Sequence, residues 1–523
     1  MDPRLSKTTP PAAGRRLLAW NTLLNLVGLG APMVVAIVAT PLLIRGLGEE
    51  RFGVLTMAWA LIGYFSIFDL GLGRALTQLV AEKVGAGRVD DVPALTWTAI
   101  ALTLLLGAVA ALAVAGMTPW LTGEVLKIPG PLRREAAITF YLLAVSLPAV
   151  TSTAGLRGLL EAYQRFGVVN AIRVPMGLLT FLGPLAVLPF STSLVPVVAV
   201  MVVGRTIAWA VHLWCCLRAV PELRTGLALD RALLRPLLRF GGWMTASNVA
   251  STFMVYLDRF VIGAVISMAA VTYYVTPYEM VSRIGMLPGA LLAAVFPALA
   301  ASFAHDRART AAIFDWTVRA IFLVLFPMTL VLVGLAYEGL YLWLGEEFAR
   351  NGTAVLQWIA VGVFINTMGM VPASGIQGAG RPDLTGKLNL VELPFYLVAL
   401  WLLLGRFGIE GAAMAWVARV TADTLILFVM ALRLEVTTAA SLRRSALTIG
   451  AALPVFALAA LLEGVVLKGA ALVTLLAAFT AAAWFLVLEG AERDEVRLRL
   501  RAALPGWSGR GGPPLGPTAA ERT

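Results

Sequence analysis

The chain has 523 residues, of which 59% are hydrophobic and 14% charged, with two cysteines, two histidines and a formal net charge of +11. Together with a mean hydropathy of +0.85, this excludes a soluble globular domain, and it excludes a transmembrane β-barrel, whose strands would show short alternating segments. Adjacent Cys215 and Cys216 suit no structural disulfide, and with two histidines there is no metal cluster.

Apolar runs of about 20 residues recur along almost the whole chain, so the expected fold class is all-α: a polytopic integral membrane protein with about 14 transmembrane helices. Residues 1–17 read as a cytoplasmic tail. Arg15 and Arg16 imitate a signal peptide, but the run from Leu17 to Ile44 is too long for an h-region and lacks a clear A-x-A cleavage site, which predicts a retained first helix. The predicted spans are 18–44, 53–80, 93–116, 136–160, 167–189, 194–216, 240–266, 270–300, 315–337, 353–378, 388–404, 410–432, 445–463 and 468–488. Breaks rest on turn chemistry, as from Phe190 to Ser193 and from Gly405 to Gly408. Pro32 and Pro41 interrupt span one. Pro277, Pro288 and Pro297 make span eight a bending, cavity-lining helix. Residues 217–239 form a basic cytoplasmic linker, and the tail 489–523 ends in a Gly/Pro-rich run that reads as disordered.

Placing the N-terminus inside puts 25 Lys and Arg in inner segments against 8 in outer loops, which sets both termini in the cytoplasm. An internal repeat divides the spans. Asn170 to Pro175 opens span five and Asn389 to Pro394 opens span eleven, six spans later, so the repeat is parallel. Two six-helix lobes, 18–216 and 240–432, are therefore expected, with spans thirteen and fourteen (445–488) peripheral to both.

Eight arginines fall inside the spans: Arg74, Arg157, Arg173, Arg205, Arg259, Arg283, Arg319 and Arg419. Each costs roughly 3 kcal/mol or more in hydrocarbon unless it is paired, snorkels or lines a water-filled cavity. Spacings of i,i+4 pair Glu279 with Arg283 and Arg419 with Asp423 on single helical faces, as satisfied buried pairs or as site residues. Asp69 and Arg74 diverge, and Asp258 adjoins Arg259. Arg205 has no acid on its own helix, so it has either a partner on a neighbouring span or a cargo anion to face. Arg157 with Glu161, Arg173, Glu392 and Asp315 with Arg319 lie near cytoplasmic ends, where snorkelling explains them. Asn21, Asn25, Asn248 and Asn366 give spans one, seven and ten polar faces. A cationic interior suggests a transporter of a large anionic cargo. The chain has no G-x-x-x-x-G-K-[ST] nucleotide loop and no outer loop large enough to house catalysis, which argues against an enzyme.

The stretch Pro41 to Gly53, followed by Gly63 to Thr77, resembles the N-terminal region of the bacterial polysaccharide-biosynthesis membrane proteins. These are the O-antigen and exopolysaccharide flippases of the multidrug/oligosaccharidyl-lipid/polysaccharide exporter superfamily. Tyr256 to Gly263 with Thr272 to Tyr274 is similar to the opening of that family's second half, and Gly375 to Arg381 to its span-ten exit. The resemblance implies two lobes in a V, with spans one, two, seven and eight lining a central cavity. It also implies alternating-access export of an undecaprenyl-diphosphate-linked oligosaccharide from the inner to the outer leaflet. The cavity candidates for the headgroup are Arg74, Arg205, Arg259, Arg283, Arg419, Asn25 and Asn248, and the coupling or ion-pair candidates are Asp69, Asp258, Glu279 and Asp423. The expected partners are a lipid-linked oligosaccharide, membrane lipid and other polysaccharide assembly proteins, with no nucleic acid. No cofactor or metal is expected, and a proton or sodium gradient, or membrane potential alone, would drive the cycle. The expected location is the bacterial cytoplasmic membrane. Alternatives are a lipid II flippase, a multidrug or cation antiporter, a membrane polymerase or ligase, and an inactive scaffold.

Overall fold

The computed structural model describes residues 32–65, 71–226, 230, 233, 254, 256–487 and 493. The N-terminal tail, Asn25, Asp69, Asn248, nearly half of the predicted linker and almost all of the C-terminal tail lie outside the described residues.

Helices account for nearly all of what is described. In chain order they are α1 Pro32–Leu47, α2 Glu49–Phe65, α3 Leu72–Gly85, α4 Val92–Trp120, α5 Gly130–Ala162, α6 Phe166–Val187, α7 Leu194–Ala219 and α8, residues 256–265. The second half continues with α9 Met268–Ser282, α10 Met286–His305, α11 Arg307–Gly334, α12 Ala336–Leu344, α13 Glu346–Gly378, α14 Pro382–Arg433, α15 Ala439–Leu461 and α16 Val465–Ala482. Among the described residues, nine helices are long and apolar enough to cross a membrane. Their outward faces are bare hydrocarbon: Leu112 is 74% exposed, Val145 75% and Phe395 72%. Water would not tolerate so much exposed apolar surface, so this belt faces lipid.

Four predicted spans depart from separate straight rods. Span two is α2 and α3, and Gly71 opens α3 at φ 67°, a left-handed conformation that a helix interior does not admit. Span eight is α9 and α10, joined by the 3₁₀ turn Arg283–Gly285. Pro288 lacks the N–H that would reach the carbonyl of Ile284, so the ladder tightens and bends there. Spans eleven and twelve run together as α14, but Gly408 at φ 61°, ψ −144° folds them apart inside the predicted turn. The predicted outer loop 117–135 is largely the end of α4, a π-helical turn Leu121–Val125 and the start of α5. The short helix α12 was not foreseen, because nine residues are too few to read as a span.

Packing pairs α4 and α7 with α5 in the first half and sets α9, α11, α12 and α14 around α13 in the second. The densest packing between the halves is α2 on α9. It lies at the end expected to face outward, and one continuous apolar core there joins both halves. A separate core of Leu76, Val80, Leu95, Leu159 and Cys216 belongs to the first half alone, toward the expected cytoplasmic end. The halves are thus fused at one end and keep their own cores toward the other. Of the spanning helices α13 is the most buried, at 67% of its apolar window, whereas α16 is only 6% buried and lies at the rim.

Candidate functional site: a cationic cavity between the halves

A cavity of about 410 Å³ lies where the two halves meet, bounded by α1, α2, α6, α8, α9 and the Arg283 turn. Its walls are chiefly apolar and aromatic, including Trp59, Phe181, Tyr256 and Trp343. The ionisable residues lining it are Arg259, Glu279 and Arg283. Among the described residues, two guanidinium groups stand against one carboxyl, which gives the lining a cationic excess.

The bends described above put these groups together. Arg259 on α8 is 3% exposed, and its Nη2 lies 2.7 Å from Glu279 Oε1 on α9. Arg283 begins the 3₁₀ turn, where its Nε donates to the Glu279 carbonyl at 3.2 Å and its Nη2 stands 3.9 Å from Glu279 Oε2. The expected i,i+4 partner is therefore the weaker one, and the strong pair crosses between helices. Aromatic faces hold the guanidinium groups. Arg259 lies 4.9 Å from the Tyr256 ring centroid and 5.5 Å from that of Tyr278. Arg283 lies 6.0 Å from the ring of Phe181 on the opposite half. Such contacts hold a cation in a partly dry site while leaving its N–H edge able to bond.

Behind this wall lies a second polar cluster. Asp258 is 1% exposed and accepts from the Tyr274 hydroxyl at 2.7 Å and from the Arg259 backbone N–H at 2.8 Å. Tyr274 stacks with Tyr278 at 6.3 Å, and Tyr278 meets Trp416 edge-on at 5.6 Å. Deeper still, Arg419 lies 3.7 Å from Glu392 and over the Tyr396 ring at 5.6 Å, with Asp423 beside Glu392. Snorkelling therefore does not describe Glu392: it is 7% exposed and turned inward toward Arg419. Its position in the repeat marked it, but the two-helix pairing was invisible without the α14 fold-back.

Of the headgroup candidates within the described residues, Arg259 and Arg283 line the cavity. Arg74 is exposed on α3, and Arg205 is partly buried on α7 between lipid-facing Val203 and Ile207; neither lines the cavity. Arg419 belongs to the deeper cluster. Of the coupling candidates, Glu279 is in the cavity, while Asp258 and Asp423 are behind it. Among the described residues no group of three or more His, Cys, Asp or Glu is arranged to hold a metal ion. The aromatic wall was missed, because Trp59 and Phe181 look like ordinary span residues in sequence.

Toward the expected outer end the cavity is shut by contacts that sequence reasoning also missed. The Thr272 hydroxyl donates to the Glu49 carbonyl at 2.7 Å. Gly53 presses so closely on α9 that an added Cβ would lie 2.1 Å from the Met268 carbonyl oxygen. The Tyr273 hydroxyl bonds to Glu49 and also reaches Glu347 Oε1 at 3.0 Å. One phenolic proton cannot serve two ionised carboxylates, so this triad closes best when one carboxyl carries a proton. Burial raises the Glu49 pKa; the Tyr273 bond opposes that, and the nearby Glu347 and Glu50 add to it. Trp343 of α12 donates to the Ile37 carbonyl of α1 at 2.7 Å, a second tie between the halves.

A multi-pass helical bundle in two halves, with a charged cavity between them and one end sealed, defines a membrane transporter. Residues 18–303 match the family described as polysaccharide biosynthesis protein. A putative O-antigen transporter of Shigella flexneri is 31% identical over 410 residues, covering 78% of this chain and 96% of its own. The chain belongs to the polysaccharide biosynthesis protein family. Its fold is similar to that of the lipid II flippase MurJ in an inward closed conformation, with TM-score 0.66, 11% identity and coverage of 88% of this chain and 99% of that one. It is also similar to an inward-facing multidrug resistance MATE family transporter of the MOP superfamily, with TM-score 0.63, 13% identity and coverage of 82% and 99%. At those identities the likeness is one of fold. The protein is a membrane transporter of that family.

Proposed function

We propose that the protein is a flippase that carries an undecaprenyl-diphosphate-linked oligosaccharide from the inner to the outer leaflet of the bacterial cytoplasmic membrane by alternating access. The observation that carries this reading is the cavity lining: among the described residues, Arg259 and Arg283 against the acid Glu279, within aromatic walls. A diphosphate crossing hydrocarbon unaided would face a penalty of tens of kcal/mol. Guanidinium forks replace its lost hydration with bidentate bonds. The aromatic faces suit the apolar faces of sugar rings, and the lipid tail can stay in the bilayer.

On this reading, with both termini cytoplasmic, the α2–α9 contact would close the outer end in the state that receives cargo from the inner leaflet. Rocking of the halves would open that contact and release the headgroup outward. A proton gradient is the favoured drive, because Glu49, Tyr273 and Glu347 form a closure that needs a proton; a sodium gradient or membrane potential is the alternative. No cofactor enters. Other polysaccharide assembly proteins would supply and consume the lipid-linked saccharide on the two faces.

A cation antiporter would want an acidic cavity, and the net positive lining disfavours it. A lipid II flippase would share the diphosphate chemistry, so sugar preference must separate the two. The test is flipping of a fluorescent undecaprenyl-diphosphate oligosaccharide in proteoliposomes, with lipid II and a cationic dye as competing cargoes. Protein-dependent flipping of the oligosaccharide, slowed by Arg259→Gln, supports the reading. Flipping of lipid II alone, or dye exchange with no lipid movement, refutes it.

A further inference from the structure

A second cavity lies away from the cargo site, a cleft of about 930 Å³ between α11, α15 and α16. Three contacts explain why it is there. At the expected outer end, Lys468 of α16 bonds Glu338 at 2.8 Å. One turn further on, Leu472 packs on Gly334 so tightly that an added Cβ would meet it at 2.9 Å. At the expected cytoplasmic end, the Ser441 hydroxyl of α15 bonds Asp315 of α11. The two peripheral helices are thus pinned at opposite ends, and among the described residues none fills the space between the pins.

Its walls grade in character. At the Ser441 end stand Arg319 and Arg444 with the hydroxyls of Ser445 and Thr448. Further in come Phe322, Phe326, Val455, Leu475 and Phe479, with the Phe326 and Phe479 rings stacked at 4.4 Å. From Asp315 to Phe326 α11 rises about 16 Å at 1.5 Å per residue, the depth of one leaflet of a hydrocarbon core about 30 Å thick. Among the described residues the acid at the mouth is Asp315, which accepts the Ser441 hydrogen bond, and Arg444 is exposed. A cationic, hydroxyl-bearing mouth over an aromatic shaft is complementary to one phosphodiester and one acyl chain, the pattern by which basic pockets between membrane helices select anionic headgroups.

We propose that this cleft is a binding site for an anionic phospholipid of the membrane, its phosphate at the Arg444 end and an acyl chain between α11, α15 and α16. The site stands apart from the cargo cavity and does not depend on what the protein transports.

The test is native mass spectrometry of the full-length protein with phosphatidylglycerol and phosphatidylcholine of identical acyl chains. One phosphatidylglycerol should be retained under conditions that strip phosphatidylcholine. Arg444→Glu should lower that retention about tenfold or more. Ala478→Trp, a change at an exposed position in the cleft wall, should lower retention without altering the charge. Equal retention of the two lipids, or unchanged retention in both variants, would overturn the proposal. So would displacement of phosphatidylglycerol by a neutral polyprenol, because the cleft would then be selecting a tail and not a headgroup.

Discussion

If Arg259 binds the cargo diphosphate, Glu279 is its competitor in the empty cavity, and replacing the two residues should move affinity in opposite directions. Ionised Glu279 occupies Arg259 Nη2 at 2.7 Å and stands 3.9 Å from Arg283, so both cations are partly neutralised before cargo arrives. Glu279→Gln keeps the shape and removes the negative charge. A charge-assisted hydrogen bond contributes about 1.5–3 kcal/mol. The Glu279 side chain is 43% exposed, so solvent screening places this pair at the low end, about 1.5 kcal/mol, and headgroup affinity should rise roughly tenfold. Arg259→Gln removes one of the two lining cations and leaves Glu279 facing the incoming phosphate, so affinity should fall at least about tenfold. Fluorescence anisotropy of a labelled polyprenyl-diphosphate oligosaccharide, titrated with purified protein, reads both shifts directly. The tighter Glu279→Gln variant should also flip more slowly in proteoliposomes, because release must break the added interaction. Equal weakening in both variants would refute this reasoning and make the pair a structural clamp.

Gly53→Ala drives a Cβ to 2.1 Å from the Met268 carbonyl oxygen. Overpacking of that kind costs about 1–3 kcal/mol, so spin labels at Glu50→Cys and Glu346→Cys, with Cys215 and Cys216 replaced by serine, should report a larger outer separation than in the parent protein. The raised Glu49 pKa gives a signed pH dependence. The closed contact holds its proton more tightly than an open one would, so closure gains as pH falls from above the raised pKa toward the ordinary Glu value and loses as pH rises. The same labels should show this, and Tyr273→Phe should flatten the profile. Gly408 sits at φ 61°, ψ −144°, a region nearly closed to other residues, so Gly408→Ala should cost about 1–3 kcal/mol in thermal unfolding of the purified protein. Arg74 and Arg205 do not line the cavity, and Arg74→Ala and Arg205→Ala should leave headgroup affinity within about twofold if cargo contacts only that lining.

Much of the bundle was legible because hydrocarbon leaves the backbone few options. A run long enough to span must be a helix, and the Gly405 to Gly408 turn could be placed from its glycines alone. What escaped was whatever depends on two helices at once. Glu279 looked like the partner of Arg283 because spacing on one helix is visible in sequence; the 2.7 Å bond to Arg259 needs the α8–α9 hairpin. Glu392 looked like an interfacial acid until the fold-back at Gly408 brought Arg419 to it. The Glu49–Tyr273–Glu347 triad joins residues more than 200 positions apart in one case and 74 in the other, with no periodicity to reveal them. Trp59 and Phe181 escaped for another reason: an aromatic residue in a span reads the same whether it meets lipid or cargo.

The division of chemistry between the halves bears on how a cycle could work. Arg259, Glu279 and Arg283 all come from the second half, whereas the first supplies Met33, Thr56, Trp59 and Phe181. The buried groups that hold Arg259 in place, Asp258, Tyr274 and Tyr278, also belong to the second half. A rocking motion therefore need not disassemble the phosphate site: the cations and their supports can move as one body, while the apolar wall of α1, α2 and α6 swings away. Among the described residues, the Arg283–Phe181 contact at 6.0 Å links a lining cation to the opposite half, and a cation–π contact of about 0.5–2 kcal/mol is weak enough to break in each cycle. The seal that must open is the α2–α9 contact, where Tyr273 bonds Glu49 and also reaches Glu347 of α13. Binding and gating thus fall on different residues. Phe181→Ala should change the rate at which the halves separate while leaving headgroup affinity nearly intact, and a loss of affinity equal to that of Arg259→Gln would show that the phosphate site needs both halves.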